Sequence, residues 1–107
     1  MEVHNNPGPG FLEIVYKDAL VYEFQKADIP FDREKEYMIE YKDIILPYKF
    51  YADFDVYDKI ILEVKAVSAM ENKFIAQAIN YLKVSLNKLV LIVNFGEVSL
   101  NYQRIVQ

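Results

Sequence analysis

The chain has 107 residues, of which 53% are hydrophobic, and a formal net charge of -4. We therefore expect one folded domain without the basic surface that general nucleic-acid binding requires. It contains no cysteine, which excludes disulfides and thiolate metal sites and agrees with the cytoplasmic location that we expect. The longest apolar run, residues 89–93, is too short to cross a membrane, and we expect no signal segment.

The residue pattern predicts a tail followed by two helices and several strands. Pro7, Gly8 and Pro9 disfavour regular structure, so residues 1–9 are expected to form the tail. Apolar periodicity and breaker residues then predict a helix over 11–27, strands over 34–41, 44–56 and 60–66, a helix over 70–85, a strand over 89–95 and an edge strand over 100–106. This order predicts an α/β or α+β domain over residues 10–107, with two or three layers.

The second and third predicted strands carry the polar residues of greatest chemical interest. Alternation along the second strand separates Asp53 from an apolar face that carries Ala52, Phe54 and Val56. Along the third strand it puts Glu63 and Lys65 on a polar face. Directly opposed residues share a face, so a three-residue connection at 57–59, or a two-residue one with a bulge, sets Asp53 opposite Glu63.

Two carboxylates at that range repel each other, and a divalent cation such as Mg²⁺ or Mn²⁺ bound between them offsets the repulsion. Such an ion acidifies a bound water and neutralises charge on a phosphate. Lys65, on the same face, can orient that water or stabilise the leaving oxygen. The pattern therefore indicates metal-assisted hydrolysis, most naturally of a phosphodiester. The same residues also fit a solvated face of salt bridges, although the apolar flanks of Glu63 and Lys65 favour a central strand.

Four sequence blocks stand in a fixed order along the chain. The first contains Gly10, Glu13 and Tyr16, and the others are Ala52-Asp53, Glu63-Val64-Lys65-Ala66-Val67, and Ala76-Gln77 with Asn80-Tyr81-Leu82, followed by residues 91–96. In this order they resemble the GxxExxY family, a branch of the PD-(D/E)XK nuclease superfamily. The resemblance implies a restriction-endonuclease-like αβββαβ core, with a mixed sheet flanked by helices.

The resemblance also implies a role for each of five polar residues. Asp53 and Glu63 would bind the metal, Mg²⁺ or Mn²⁺, and Lys65 would be the catalytic lysine. Glu13 would be the acid of the first helix and would support the metal directly or through water. Gln77, on the second helix, would position a phosphate or another ligand.

Several positions also have plainer interpretations. Glu13 is equally a first-turn acid that the helix dipole favours, and Gln77 is equally an ordinary helix residue. Asp55 is expected to be a surface acid rather than a ligand of a second metal. Tyr51 stands where family members often carry a basic residue, and Lys49, two residues earlier on the same face, could supply that phosphate contact instead.

We therefore expect a metal-dependent nuclease that hydrolyses phosphodiester bonds of nucleic acid, with DNA as the expected substrate. The alternative is a catalytically silent binding or assembly module that retains the nuclease fold. The negative net charge of the chain favours this alternative. The intact spacing of Asp53, Glu63 and Lys65 favours the enzyme over this alternative. A homodimer through residues 96–107 is also expected, because a single small acidic domain offers few of the phosphate contacts that a duplex requires.

Overall fold

A computed structural model describes residues 11–85, 87–97 and 99–106. The predicted tail over residues 1–9, and Gly10 of the first sequence block, lie outside these residues. The elements in chain order are helix α1 (Glu13–Lys26), strands β1 (Phe31–Tyr41), β2 (Ile44–Val56) and β3 (Ile60–Lys65), helix α2 (Asn72–Ser85), and strands β4 (Leu89–Asn94) and β5 (Asn101–Val106). Every predicted element is present, and the largest difference of boundary is at β1, which begins at Phe31 instead of residue 34.

The strands of the described residues form one five-stranded sheet in the order β1-β2-β3-β4-β5. β2 is antiparallel to both β1 and β3, β3 is parallel to β4, and β4 is antiparallel to β5. A parallel pair needs a crossover connection, and α2 lies in the connection between β3 and β4. The mixed sheet with flanking helices confirms the predicted α+β fold of the restriction-endonuclease type.

The two helices cover opposite faces of the sheet, and each face has its own hydrophobic core. The buried core on the α1 side consists of Tyr16, Leu20, Phe54, Val56, Leu62, Val64 and Phe95. The buried core on the α2 side consists of Ala52, Ile61, Ala78, Leu82, Val90 and Ile92. Neighbouring residues of β3 thus contribute to opposite cores, as expected for a strand that is covered on both faces. Neither described helix is long and apolar enough to cross a membrane.

Local sequence explains where α1 stops. Asp28 adopts φ 56, and the Ile29 N–H donates to the Phe24 carbonyl at 2.9 Å, a bond that commonly closes a helix C-terminus. Pro30 cannot continue the helix. Its carbonyl accepts a hydrogen bond from the Tyr57 N–H at 3.0 Å, which ties the start of β1 to the end of β2.

The connection between β2 and β3 sets the register on which the polar pair depends. Tyr57 and Asp58 both adopt left-handed backbone conformations, with φ 59 and 56, and three residues separate the strands. The pairing runs from Val56 with Ile60 to Phe54 with Leu62. The ladder ends at this last pair, and Asp53 and Glu63 are the next residues on their strands, so the direct pairing of the two acids stays a prediction.

The predicted alternation along β2 is wrong at Ala52. Ala52 packs in the core on the α2 side, whereas Phe54 packs in the core on the α1 side, so the two do not share a face. The change occurs at Asp53, between the pairs Arg33–Phe54 and Lys35–Ala52. Glu34 lies between the same pairs on β1 and adopts φ 54 rather than an extended conformation. A left-handed residue inside a strand rotates the chain locally, and the exchange of faces on β2 coincides with this residue of the neighbouring strand.

Candidate functional site

Asp53 and Glu63 lie side by side on neighbouring strands, and both are buried, with exposed fractions of 8% and 7%. Asp53 Oδ2 accepts a hydrogen bond from the Val64 N–H at 2.7 Å. This bond fixes the Asp53 carboxylate against β3, next to Glu63. The structure therefore brings together the two acids that alternation and connection length placed opposite each other.

The environment of Glu63 disfavours its charged form. Burial raises the pKa of Glu63 to about 9, and the negative charge of Asp53 acts in the same direction, as does a hydrogen bond between the two side chains. The positive charge of Lys65 opposes this shift. Among the described residues, Glu63 Oε1 is buried without a hydrogen-bond partner, a condition that costs roughly 1–3 kcal/mol. A divalent cation would supply the missing partner and offset the repulsion.

The pair suits an ion that needs few protein ligands. Across residues 11–85, 87–97 and 99–106, no group of three or more His, Cys, Asp or Glu side chains is arranged to hold a metal ion. Mg²⁺ is commonly bound through one or two carboxylates while it keeps several waters. Asp53 and Glu63 therefore fit Mg²⁺ or the chemically similar Mn²⁺, provided that water and substrate oxygens complete the coordination.

Lys17 on α1 supplies a cation that the sequence analysis did not identify. Its Nζ lies 2.7 Å from Asp53 Oδ1, and the Lys17 side chain is only 12% exposed. The same nitrogen lies 3.4 Å from Glu34 Oε1 and 3.6 Å from Glu13 Oε1. Burial lowers the pKa of Lys17, but the hydrogen bond and charge of Asp53, together with the charges of Glu34 and Glu13, outweigh burial, so the pKa of Lys17 is raised overall. Lys17 is therefore a charged neighbour of the acidic pair.

Glu13 reaches the pair through Lys17, whose ammonium contacts both Glu13 and Asp53. The Glu13 side chain is 41% exposed, so it lies at the rim of the site. The spacing of Glu13 and Lys17, four residues apart on a helix, was the available signal for Lys17. That spacing is usually interpreted as a surface ion pair, and only the packing of α1 against β2 turns it toward Asp53.

Lys65 lies at the end of β3, two residues after Glu63, and is partly buried. Its Nζ is 4.8 Å from the centre of the Phe74 ring on α2, a distance at which a cation is attracted to the ring face. Its charge acts on Glu63. Lys65 is therefore close enough to act electrostatically on Glu63, while its ammonium lies against α2.

Gln77 and Tyr81 of α2 form another border of the site. Burial raises the pKa of Tyr81, and the charges of Glu63 and Asp53 raise it further, whereas a hydrogen bond with Gln77 lowers it. Gln77 itself is exposed. It therefore stands at the solvent side of a tyrosine that interacts electrostatically with the acidic pair.

Lys49 lies away from the carboxylates. Its Nζ is 2.8 Å from Glu36 Oε1 on β1, and the Lys49 side chain is 48% exposed. Four residues of extended strand, at ~3.3 Å each, separate its backbone from that of Asp53 by roughly 13 Å. A phosphate contact by Lys49 therefore stays a prediction, and it would require a substrate that extends along β2.

Comparison with known protein families decides the membership of the chain. A family model for the PD-(D/E)XK nuclease superfamily matches residues 1–105. The chain belongs to the PD-(D/E)XK nuclease superfamily. No match was found among curated proteins or among solved structures. Asp53, Glu63 and Lys65 are the residues that resemblance to PD-(D/E)XK nucleases predicted for the site of such a domain.

Asp55 of this PD-(D/E)XK domain differs from the predicted surface acid, because it is only 1% exposed. Its Oδ2 accepts hydrogen bonds from the Tyr37 hydroxyl and from Asn87 Nδ2, the latter at 3.3 Å. Lys35 Nζ lies 3.5 Å from the same oxygen. These partners come from β1 and from the segment after α2, so alternation along β2 could not reveal them.

Asn94, at the end of β4, organises the backbone beside Lys65. It is 0% exposed, and its Oδ1 accepts hydrogen bonds from the Val67 and Gly96 N–H groups, both at 3.0 Å. Its Nδ2 donates to the Val67 carbonyl at 3.0 Å. Lys65 pairs with Asn94 in the parallel ladder, so Asn94 holds the two strand ends of this nuclease-superfamily domain together.

Proposed function

We propose that this PD-(D/E)XK domain, residues 10–107, is a metal-dependent nuclease that hydrolyses phosphodiester bonds of nucleic acid, with DNA as its substrate. The observation that carries the proposal is the buried Asp53–Glu63 pair. Glu63 Oε1 has no hydrogen-bond partner among the described residues, and burial with the Asp53 charge raises the pKa of Glu63. Perturbed acids of this kind are concentrated at functional sites.

Each residue of the site would have its own role in the reaction. Asp53 and Glu63 would hold Mg²⁺ or Mn²⁺, and Glu13 would support it through water. The bound ion would supply an acidic water and neutralise charge on the phosphate. Lys65, which lies beside Glu63 without being able to ligate a metal through its ammonium, would orient the attacking water and stabilise the leaving oxygen. Gln77 would position a substrate phosphate at the exposed side of Tyr81.

Two features of the fold support a homodimer. β5 is an edge strand of the described sheet, and an unpaired edge is prone to association. Tyr102 and Val106 on β5 are 64% and 59% exposed, and aromatic side chains are enriched at interface cores. A dimer through this edge would double the area available for phosphate contacts. We also propose that the domain works in the cytoplasm, which the absence of cysteine permits, and that it belongs to the GxxExxY branch.

One observation favours the catalytically silent alternative. The net charge of -4 leaves little basic area, whereas affinity for a duplex comes largely from neutralised phosphates. A binding or assembly module with this fold would keep the acidic pair but cleave nothing.

Cleavage assays distinguish the two functions. Labelled single-stranded, double-stranded and branched DNA, with a matched RNA, are incubated with the protein in Mn²⁺ and in EDTA. The nuclease proposal predicts cleavage that requires Mn²⁺ and is lost in Glu63→Ala. It also predicts that cleavage is kept in Glu71→Ala, because the Glu71 side chain is 58% exposed. Cleavage of none of these substrates would favour the silent module, and equal cleavage by Glu63→Ala would locate the activity elsewhere or in a contaminant.

A further inference from the structure

We propose that Lys17 is the resident counter-cation of the Asp53–Glu63 site: it holds Asp53 when no divalent ion is bound and leaves Asp53 Oδ1 when one binds. Lys17 would thereby set the metal affinity of the site. This inference rests on the proposed metal-dependent function and adds to it a residue that competes with the ion.

The geometry puts Lys17 where a ligated ion would meet it. Its Nζ is 2.7 Å from Asp53 Oδ1, and Asp53 Oδ2 accepts the Val64 N–H at 2.7 Å. Because Val64 holds one oxygen in place, Asp53 cannot turn its carboxylate away from α1 without losing that bond. An ion that ligates Asp53 would therefore approach an oxygen already neutralised by an ammonium, and two cations at such short range repel strongly.

Lys17 also has other acids available once it leaves Asp53. Glu34 Oε1 and Glu13 Oε1 lie 3.4 Å and 3.6 Å from the same nitrogen, and their side chains are 51% and 41% exposed. An ammonium group has three donors. Lys17 can therefore give up Asp53 and keep two carboxylates at the solvent side, so that the exchange does not leave a buried charge without a partner.

This arrangement protects the metal-free protein and weakens its metal binding at the same time. Without the ammonium, Asp53 would face Glu63 with no compensating cation from α1. When the ammonium is present, a divalent ion must first displace the Lys17–Asp53 ion pair in order to bind. The structure thus predicts that removal of the Lys17 charge destabilises the metal-free fold and strengthens metal binding.

The test measures Mn²⁺ binding by isothermal titration calorimetry and thermal unfolding in EDTA. Lys17→Met keeps the length of the side chain and removes its charge, whereas Lys17→Arg keeps the charge. Lys26→Met is the matched control, because Lys26 lies on the same helix and its Nζ is 6.0 Å from the centre of the Tyr22 ring. We expect Lys17→Met to bind Mn²⁺ about tenfold more tightly than the wild type, which corresponds to about 1.4 kcal/mol. It should also unfold at a lower temperature in EDTA, whereas Lys17→Arg and Lys26→Met should bind Mn²⁺ as the wild type does.

The outcomes separate this inference from the proposed function. If the wild type binds Mn²⁺ and Lys17→Met binds it with unchanged or weaker affinity, the proposed role of Lys17 is wrong and the metal site still stands. No binding to the wild type or to any variant would overturn both. If far-UV circular dichroism shows that Lys17→Met does not fold in EDTA, Lys17→Gln, which keeps a hydrogen-bonding group without the charge, is judged by the same affinity criterion.

Discussion

Glu63 should make the metal-free protein less stable as the pH rises through the neutral range. Its pKa in the folded chain is raised to about 9 from an ordinary value of 4.5, first by burial and then by the Asp53 charge. Between these two values the folded protein holds a proton on Glu63 that the unfolded chain has released. A group with a raised pKa in the folded state contributes stability that is complete below the lower value and is lost as the pH rises toward the higher one.

The magnitude follows from counting one proton. A difference of one bound proton changes the free energy of unfolding by about 1.4 kcal/mol per pH unit. From pH 6 to pH 8, Glu63 should therefore reduce the free energy of unfolding by up to roughly 2.7 kcal/mol. Glu63→Gln keeps the shape of the side chain and cannot ionise, so this part of the pH dependence should disappear in that variant.

Urea denaturation in EDTA at pH 6, 7 and 8, for the wild type and for Glu63→Gln, measures the effect. The difference between the two proteins isolates Glu63 from other groups that titrate in this range. We expect the wild type to lose stability across the range and Glu63→Gln to lose much less. Parallel pH profiles for the two proteins would show that Glu63 is ionised in the folded state, and the argument from the buried acidic pair would fail.

Three further changes have defined outcomes. Mn²⁺ should raise the melting temperature of the wild type by binding the folded state, and an equal rise in Asp53→Asn would place the ion elsewhere. Lys65→Ala should abolish cleavage while calorimetry shows nearly unchanged Mn²⁺ binding, because an ammonium has no lone pair to donate; parallel loss of both would make Lys65 a structural partner of the acids. Gly96→Ala should lower the free energy of unfolding by about 1–3 kcal/mol or more, because the added Cβ would lie 2.3 Å from the Val67 carbonyl oxygen; wild-type stability in urea would contradict this packing.

The sequence predicts most of the fold because its local signals agree. Apolar periodicity, Pro30 and the continuous apolar run at residues 89–93 place the helices and strands to within a few residues. The proximity of Asp53 and Glu63 is also predictable, since the three-residue connection sets the register of β2 and β3. These features depend on neighbours in sequence, which a single chain displays directly.

The remaining features of the site depend on contacts between distant residues. Lys17 meets Asp53 only because α1 packs over β2, and the helix sequence by itself suggests a surface pair with Glu13. The exchange of faces at Ala52 coincides with the left-handed conformation of Glu34 on the neighbouring strand. The burial of Asp55 follows from hydrogen-bonding partners on other elements. Neither the helical nor the strand period carries this information.

The position of Mn²⁺ in a crystal of the wild-type protein, measured by anomalous diffraction, shows directly whether Asp53 and Glu63 bind the ion. We expect an anomalous peak for Mn²⁺ coordinated by the carboxylates of Asp53 and Glu63, with the Lys17 ammonium no longer in contact with Asp53. Mn²⁺ at full occupancy away from these two residues, or no bound Mn²⁺ at concentrations that support cleavage, would contradict the assignment of this pair as the metal site.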